Sequence, residues 1–148
     1  MKKYIKLLSL VLIVFLITAC GEEKVKLDTK RFTEKISNLE FVVSDNTKLI
    51  EDKTIKGAYS AHNGKYQIEF YIFKDEKRAK EAYTSNKKYL ENNKKKGKEK
   101  EDNTYSKYVQ ELTDTYNVLT RVEDTLIYAS VNIEYKKDLK KVLKELNY

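Results

Sequence analysis

The segment from Ile55 to Phe73 restricts this chain more than any other. Ile55–Ala61 and Tyr66–Phe73 are two β-prone runs separated by Asn63-Gly64, a dipeptide that tolerates the positive φ of a two-residue hairpin turn. In the second run Tyr66, Ile68, Phe70 and Ile72 share one face, while Gln67, Glu69, Tyr71 and Phe73 share the other. The first face is wholly apolar or aromatic and is expected to meet the core.

The flanking segments supply partners for that hairpin. Asp28 or Thr29 can cap a short helix whose Phe32, Ile36 and Leu39 recur at i, i+4 and i+7. Phe41-Val42-Val43 reads as a strand closed by Ser44-Asp45-Asn46. Asp75 can cap a long helix from about Glu76 to Asn93, with Ala79, Ala82, Tyr83, Asn86 and Leu90 on one stripe. The run from Asn92 to Asp102 has no apolar residue and reads as an exposed loop.

Three further strands follow, Tyr105–Leu112, Tyr116–Val122 and Thr125–Ile133, with Glu123-Asp124 turning between the last two. Leu126–Val131 is nearly continuous apolar, which suits a central strand. A closing helix, Tyr135–Leu146, carries Leu139, Val142, Leu143 and Leu146 on one side. The order α-β-β-β-α-β-β-β-α contains hairpin-then-helix twice, at 55–93 and 116–146. It predicts an α+β fold: an antiparallel sheet of about five or six strands with helices packed mainly on one face.

Ahead of this domain lies the chain's only long apolar run. Lys2, Lys3 and Lys6 precede it, Leu7–Ile17 is apolar apart from Ser9, and Ile17-Thr18-Ala19-Cys20 closes it. These parts resemble a bacterial export signal ending in a lipobox. Leu7 to Ala19 is short of the ~20 apolar residues that a spanning helix needs. The resemblance implies that the Ala19–Cys20 bond is cut and that Cys20 carries a diacylglyceryl thioether. Two acyl chains matter, because each buried methylene contributes ~0.8 kcal/mol and one chain alone binds only reversibly. Cys20 is the only cysteine, so it has no intramolecular disulfide partner. The expected division is a signal peptide over 1–19, a lipidated cysteine and charged tether over 20–27, and one extracytoplasmic domain over 28–148. The expected address is the cell membrane, lipid-anchored on its outer side.

Charge and composition narrow the partners. Thirty Lys and Arg stand against 23 Asp and Glu, a formal net charge of +7 that the loss of the three leader lysines takes to +4. The acids are interleaved with the bases, and export separates the chain from cytoplasmic nucleic acid, so no nucleic-acid partner is expected. Anionic lipid or wall polymer fits the residual charge better, with Lys94, Lys95, Lys96 and Lys98 the candidate contacts. Against that, Glu99, Glu101 and Asp102 follow directly and partly cancel the charge. The solvated-loop reading is the favoured one.

Catalytic groups are sparse. His62 is the only histidine and stands beside a turn, the Cys20 sulfur is taken by the anchor, and four glycines form no phosphate-cradling loop. No catalytic residue, metal or cofactor is expected beyond the covalent lipid. Twelve tyrosines are the compositional oddity. Tyr71 and Phe73, on the outer side of the hairpin, are candidates for an aromatic contact patch.

Over most of its mature length the chain is similar to small lipoproteins of low-GC Gram-positive bacteria. The likeness rests on Phe41-Val42-Val43-Ser44-Asp45, Tyr66-Gln67-Ile68-Glu69-Phe70-Tyr71, the Ala79/Ala82 helix, Tyr105-Ser106-Lys107-Tyr108 and Arg121–Tyr128 before a terminal helix. It implies an architecture and a host class, and no mechanism. Two functional expectations stand. One is a monomeric, non-catalytic surface lipoprotein that binds a protein or envelope component. The alternative is a small-ligand capture module with a tyrosine-lined pocket between sheet and helices.

Overall fold

A computed structural model describes residues 24–92 and 94–148. Ala19 and Cys20, with the rest of the leader, lie outside the described residues. The elements run α1 (Thr29–Ser37), β1 (Val42–Asp45), a 3₁₀ turn (Thr47–Leu49), β2 (Ile55–His62), β3 (Gln67–Phe73) and α2 (Glu76–Glu91). They continue with β4 (Lys98–Glu101), β5 (Tyr105–Glu111), β6 (Thr115–Val122), β7 (Thr125–Asn132), a second 3₁₀ turn (Ile133–Tyr135) and α3 (Lys136–Glu145). The strands form one antiparallel sheet in the order β1-β2-β3-β7-β6-β5-β4.

Local chemistry sets the element ends. Asp28 accepts the Arg31 backbone N–H and Asp75 that of Arg78, each at 2.8 Å. Each cap satisfies one otherwise unbonded donor and contributes ~1 kcal/mol. The β2–β3 turn is centred on Gly64 and Lys65, one residue later than expected. Asn63 N–H donates to the Tyr66 carbonyl at 3.4 Å, and its carboxamide oxygen accepts from Lys65 and Tyr66 N–H. Gly64 alone takes positive φ there, at 79°. Between β6 and β7, Glu123 and Asp124 make the expected turn, with Val122 paired to Thr125.

Helices cover both faces of the sheet, which corrects the expectation of one covered face. Phe32 and Ile36 of α1 join Leu139, Leu143 and Leu146 from the α3 end over Ile68, Phe70, Val118 and Ile127. Phe32 stacks on Phe70 with ring centres 4.3 Å apart. On the opposite face Ala79, Tyr83 and Leu90 of α2 cover Phe73, Tyr108, Leu119 and Leu126. Consecutive apolar residues such as Val118-Leu119 and Leu126-Ile127 point to opposite faces, so each needs its own cover. The two hairpin-then-helix units therefore place their helices on opposite sides.

The sheet has seven strands, not five or six, because β4 forms inside the run expected to be a loop. The order is accordingly α-β-β-β-α-β-β-β-β-α. All four β4 side chains are exposed. Its place is held by neighbouring groups: Gly97 N–H donates to the Tyr108 hydroxyl at 2.7 Å, and Gln110 Nε2 donates to the Lys95 carbonyl at 2.7 Å and the Leu90 carbonyl at 2.9 Å. A short charged strand is also a defence against edge-to-edge association.

The packed chain begins earlier than residue 28. Leu27, assigned to the tether, is buried in the α1/α3 core. Lys26 Nζ lies 2.9 Å from Asp124 and 3.4 Å from Glu123. Arg121 is fully buried at the far end of β6. Its guanidinium donates to Glu76 at 3.0 Å, to the Glu123 and Asn103 carbonyls, and to Ser106 Oγ. It thereby ties the start of α2 to both adjoining turns.

Candidate functional site

β4 sorts its charges by face. Glu99 and Glu101 pair in register with Tyr108 and Ser106, while Lys98 and Lys100 pair with Val109 and Lys107. Directly opposed residues share a face of the sheet. The two glutamates therefore look toward α2. Glu99 accepts from the Tyr83 hydroxyl at 3.0 Å and is ion-paired with Lys87, and Glu101 lies 3.4 Å from Lys80. Lys98 and Lys100 fall on the α1/α3 side. The acids that neighbour these lysines in sequence are engaged across the sheet.

On the lysine side, the start of β4, the end of β5 and the first turns of α3 enclose a cleft of about 800 Å³. Lys95, Lys96, Lys98, Lys136 and Lys140 line it, with Glu111 as the one carboxylate of the lining. Both α3 lysines lie over the Tyr116 ring, Lys136 Nζ 5.6 Å and Lys140 Nζ 5.8 Å from its centre. Glu111 is bonded to Lys136 at 2.5 Å, which holds its carboxyl below the usual range. Lys107 lies beyond the cleft on the same face, its Nζ 3.4 Å from the Tyr148 carbonyl. Burial lowers its ammonium pKa, and the charges of Lys24 and Lys140 add to that effect. Lys136 and Lys137 also open α3 at the positive end of its dipole, where cations oppose helix stability.

Of the candidate lysines, Lys95, Lys96 and Lys98 line the cleft, and Lys94 is exposed outside the lining. Lys136 and Lys140 were not singled out by the sequence. Their signal there, two lysines at i and i+4 on a helix, is the same as that of an ordinary solvated face.

Phe73 is buried beneath α2 and is not a surface contact. Tyr71 is half-buried, and its hydroxyl donates to Glu69 at 2.7 Å. Burial and then this bond push its pKa above the ordinary tyrosine value. Tyr71, Tyr128, Glu69, Asp52 and Asn86 surround a second hollow of about 370 Å³ with Phe73 also in its wall. His62 ends β2 as an exposed residue opposite Gln67 and Val42. Ala19 and Cys20 lie outside the described residues.

Among the described residues no helix is long and apolar enough to cross a membrane, and no group of three or more His, Cys, Asp or Glu is placed to hold a metal ion. No protein-family model, curated protein or solved structure matches the chain.

Proposed function

We propose that this chain is a lipoprotein anchored through Cys20 on the outer side of a bacterial membrane, and that its domain binds an anionic envelope component without catalysis. The observation that carries the binding reading is the cleft of about 800 Å³ with five lysines against one carboxylate. Clustered like charges raise the local positive potential and concentrate anions. Lysine ammonium groups, as mobile point charges, suit the phosphates of a flexible polymer or headgroup better than one rigid ligand.

Two experiments test the two halves of the reading. Cys20→Ser should abolish lipid labelling and leave the precursor uncut; a variant that is still processed and still fractionates with membranes overturns the anchor. For the domain, the unlipidated mature chain should adsorb to purified walls or anionic vesicles at low salt. Changing Lys95, Lys96, Lys98, Lys136 and Lys140 together to Ser should cut adsorption at least about tenfold, and salt should weaken what remains. Equal adsorption by the two proteins overturns the binding site.

A second reading is favoured by the tyrosine-walled hollow beside α2. Two ring faces with Glu69, Asp52 and Asn86 around them suit a small ligand carrying hydrogen-bond donors. A screen of sugars and small amines by tyrosine fluorescence, repeated with Tyr128→Ala, tests it. A ligand bound equally by both proteins removes this hollow as its site.

A further inference from the structure

We infer that the anionic component is the lipid headgroup surface of the anchoring membrane itself, and that the domain lies on it by the lysine side of β4, β5 and α3. This rests on the anchor reading above. It goes beyond that reading by naming the source of the anion and the orientation of the domain.

The point where the tether meets the domain carries the argument. Lys24 is the first described residue, and its Nζ lies 3.5 Å from Asn147 Oδ1. Lys107 Nζ lies 3.4 Å from the carbonyl of Tyr148, the adjoining residue. The chain therefore leaves the domain beside the lysine face, not from the opposite side of the sheet. Four residue steps separate Cys20 from Lys24, and a fully extended chain covers at most ~3.6 Å per step, or roughly 14 Å in all. A diacylglyceryl group in the bilayer thus keeps the Lys24 end of this face within about one to two Debye lengths of the headgroups at physiological salt.

The charge distribution agrees with that orientation. Lys98, Lys100 and Lys107 on the sheet edge and Lys136 and Lys140 on α3 spread over a surface broader than the cleft. Glu111 is already engaged with Lys136. On the opposite face three basic residues of α2 meet carboxylates, Lys87 pairing with Glu99, Lys80 with Glu101 and Arg78 with Glu81, while Lys77 and Lys88 stand exposed on the outer side of the helix. The side with five lysines around one cleft is also the side from which the tether emerges. Each lysine brought to an anionic surface strengthens attachment by about fivefold, so the contact would add to the acyl chains as a second membrane signal.

The test is a lysine footprint on the lipidated protein. The full mature chain is extracted from membranes, its mass is measured, and it is reconstituted into vesicles of phosphatidylcholine alone or with phosphatidylglycerol added. Brief acetylation followed by peptide mass spectrometry should find Lys98, Lys100, Lys136 and Lys140 modified several-fold more slowly in the anionic vesicles. Lys77 and Lys88 of α2 should react equally in both, and high salt should erase the difference. Equal modification of the sheet-edge lysines in the two vesicle types overturns the inference. Protection in neutral vesicles by added soluble wall polymer, with none from anionic lipid, overturns it too and leaves the broader binding reading standing. A mass without diacylglyceryl on Cys20 removes the anchor and this inference together.

Discussion

Lys100 on β4 stands directly opposite Lys107 on β5, so two like charges share one face at the sheet edge. Such cross-strand pairs destabilise a sheet by a few tenths of a kcal/mol. The neighbouring Lys98 and the α3 lysines add to that repulsion, and the glutamates of β4 cannot relieve it from the other face. The edge is built in a way that an anion would stabilise.

Replacing Lys107 by Met should therefore raise the stability of the free protein at neutral pH by roughly 0.5 kcal/mol. The pH dependence has a defined sign. The ammonium pKa is depressed below 10.5 in the folded state. Below the folded value both states hold the proton and the penalty is fully present. Between the folded value and 10.5 the unfolded chain holds this proton more tightly, so the Lys107 contribution to stability climbs with pH. The buried tyrosines, with pKa values raised above 10.0, oppose this equally in both proteins. Urea unfolding at neutral pH and near 10.5 should therefore show the advantage of Lys107→Met over the native sequence shrinking. A loss of stability at neutral pH would mean that the bond to the Tyr148 carbonyl outweighs the repulsion.

Gly97→Ala should detach β4. An added Cβ would lie 2.3 Å from the Val109 carbonyl oxygen and 2.6 Å from the Tyr108 ring. Backbone on one side and a buried ring on the other leave it no room, and overpacking of this kind costs about 2 kcal/mol. Hydrogen exchange over residues 98–101 should accelerate while β6 and β7 keep their protection. Unchanged exchange in β4 would contradict the close approach.

Gln110→Leu should loosen the segment leading into β4. The Gln110 carboxamide bonds the Leu90 and Lys95 carbonyls and accepts from Asn117 Nδ2 at 2.9 Å. Its loss leaves three polar groups in or near the core without those partners, at a cost of about 2 kcal/mol. The melting temperature should fall, with faster exchange at the end of α2. A neutral substitution would show that these groups rebond without strain.

Arg121→Met should cost about 3 kcal/mol, because a buried guanidinium with several acceptors is removed from the junction of α2 and β6. Glu76→Gln should cost less, about 1 kcal/mol, since Glu76 is 47% exposed and the carbonyl and Ser106 acceptors stay in place. Chemical denaturation of both variants checks the order. A larger loss for Glu76→Gln would place the weight on the ion pair and not on the carbonyl bonds.

The local elements were legible in the sequence because their signals are short-range. Asp28 and Asp75 cap the helices they were expected to cap, and the strand from Gln67 to Phe73 sorts its side chains as alternation requires. Leu126–Val131 also held a signal that reaches further. A strand apolar on both faces asks for cover on both, and that cover is α2 on one side and α1 with α3 on the other. Of the aromatic patch, Phe73 is lost for the same reason, because it lies under α2, while Tyr71 stays half-buried in the wall of the second hollow.

What only the tertiary structure decided is where charge collects. In a coil, Lys98-Glu99-Lys100-Glu101 is nearly neutral, because side chains of both signs share the same water. Once Tyr108, Gln110 and Gly97 hold this segment as a strand, the two-residue period sends the acids to α2 and the bases to the other face. Lys136 and Lys140 then arrive beside Lys98 because α3 packs across Tyr116, a contact that no local pattern announces. The sequence by itself determined the helices and every strand except β4, since those depend on periods of two and 3.6 that the all-polar run from Asn92 to Asp102 does not display. The basic cleft depends on pairing between distant segments, and it exists only in the folded chain.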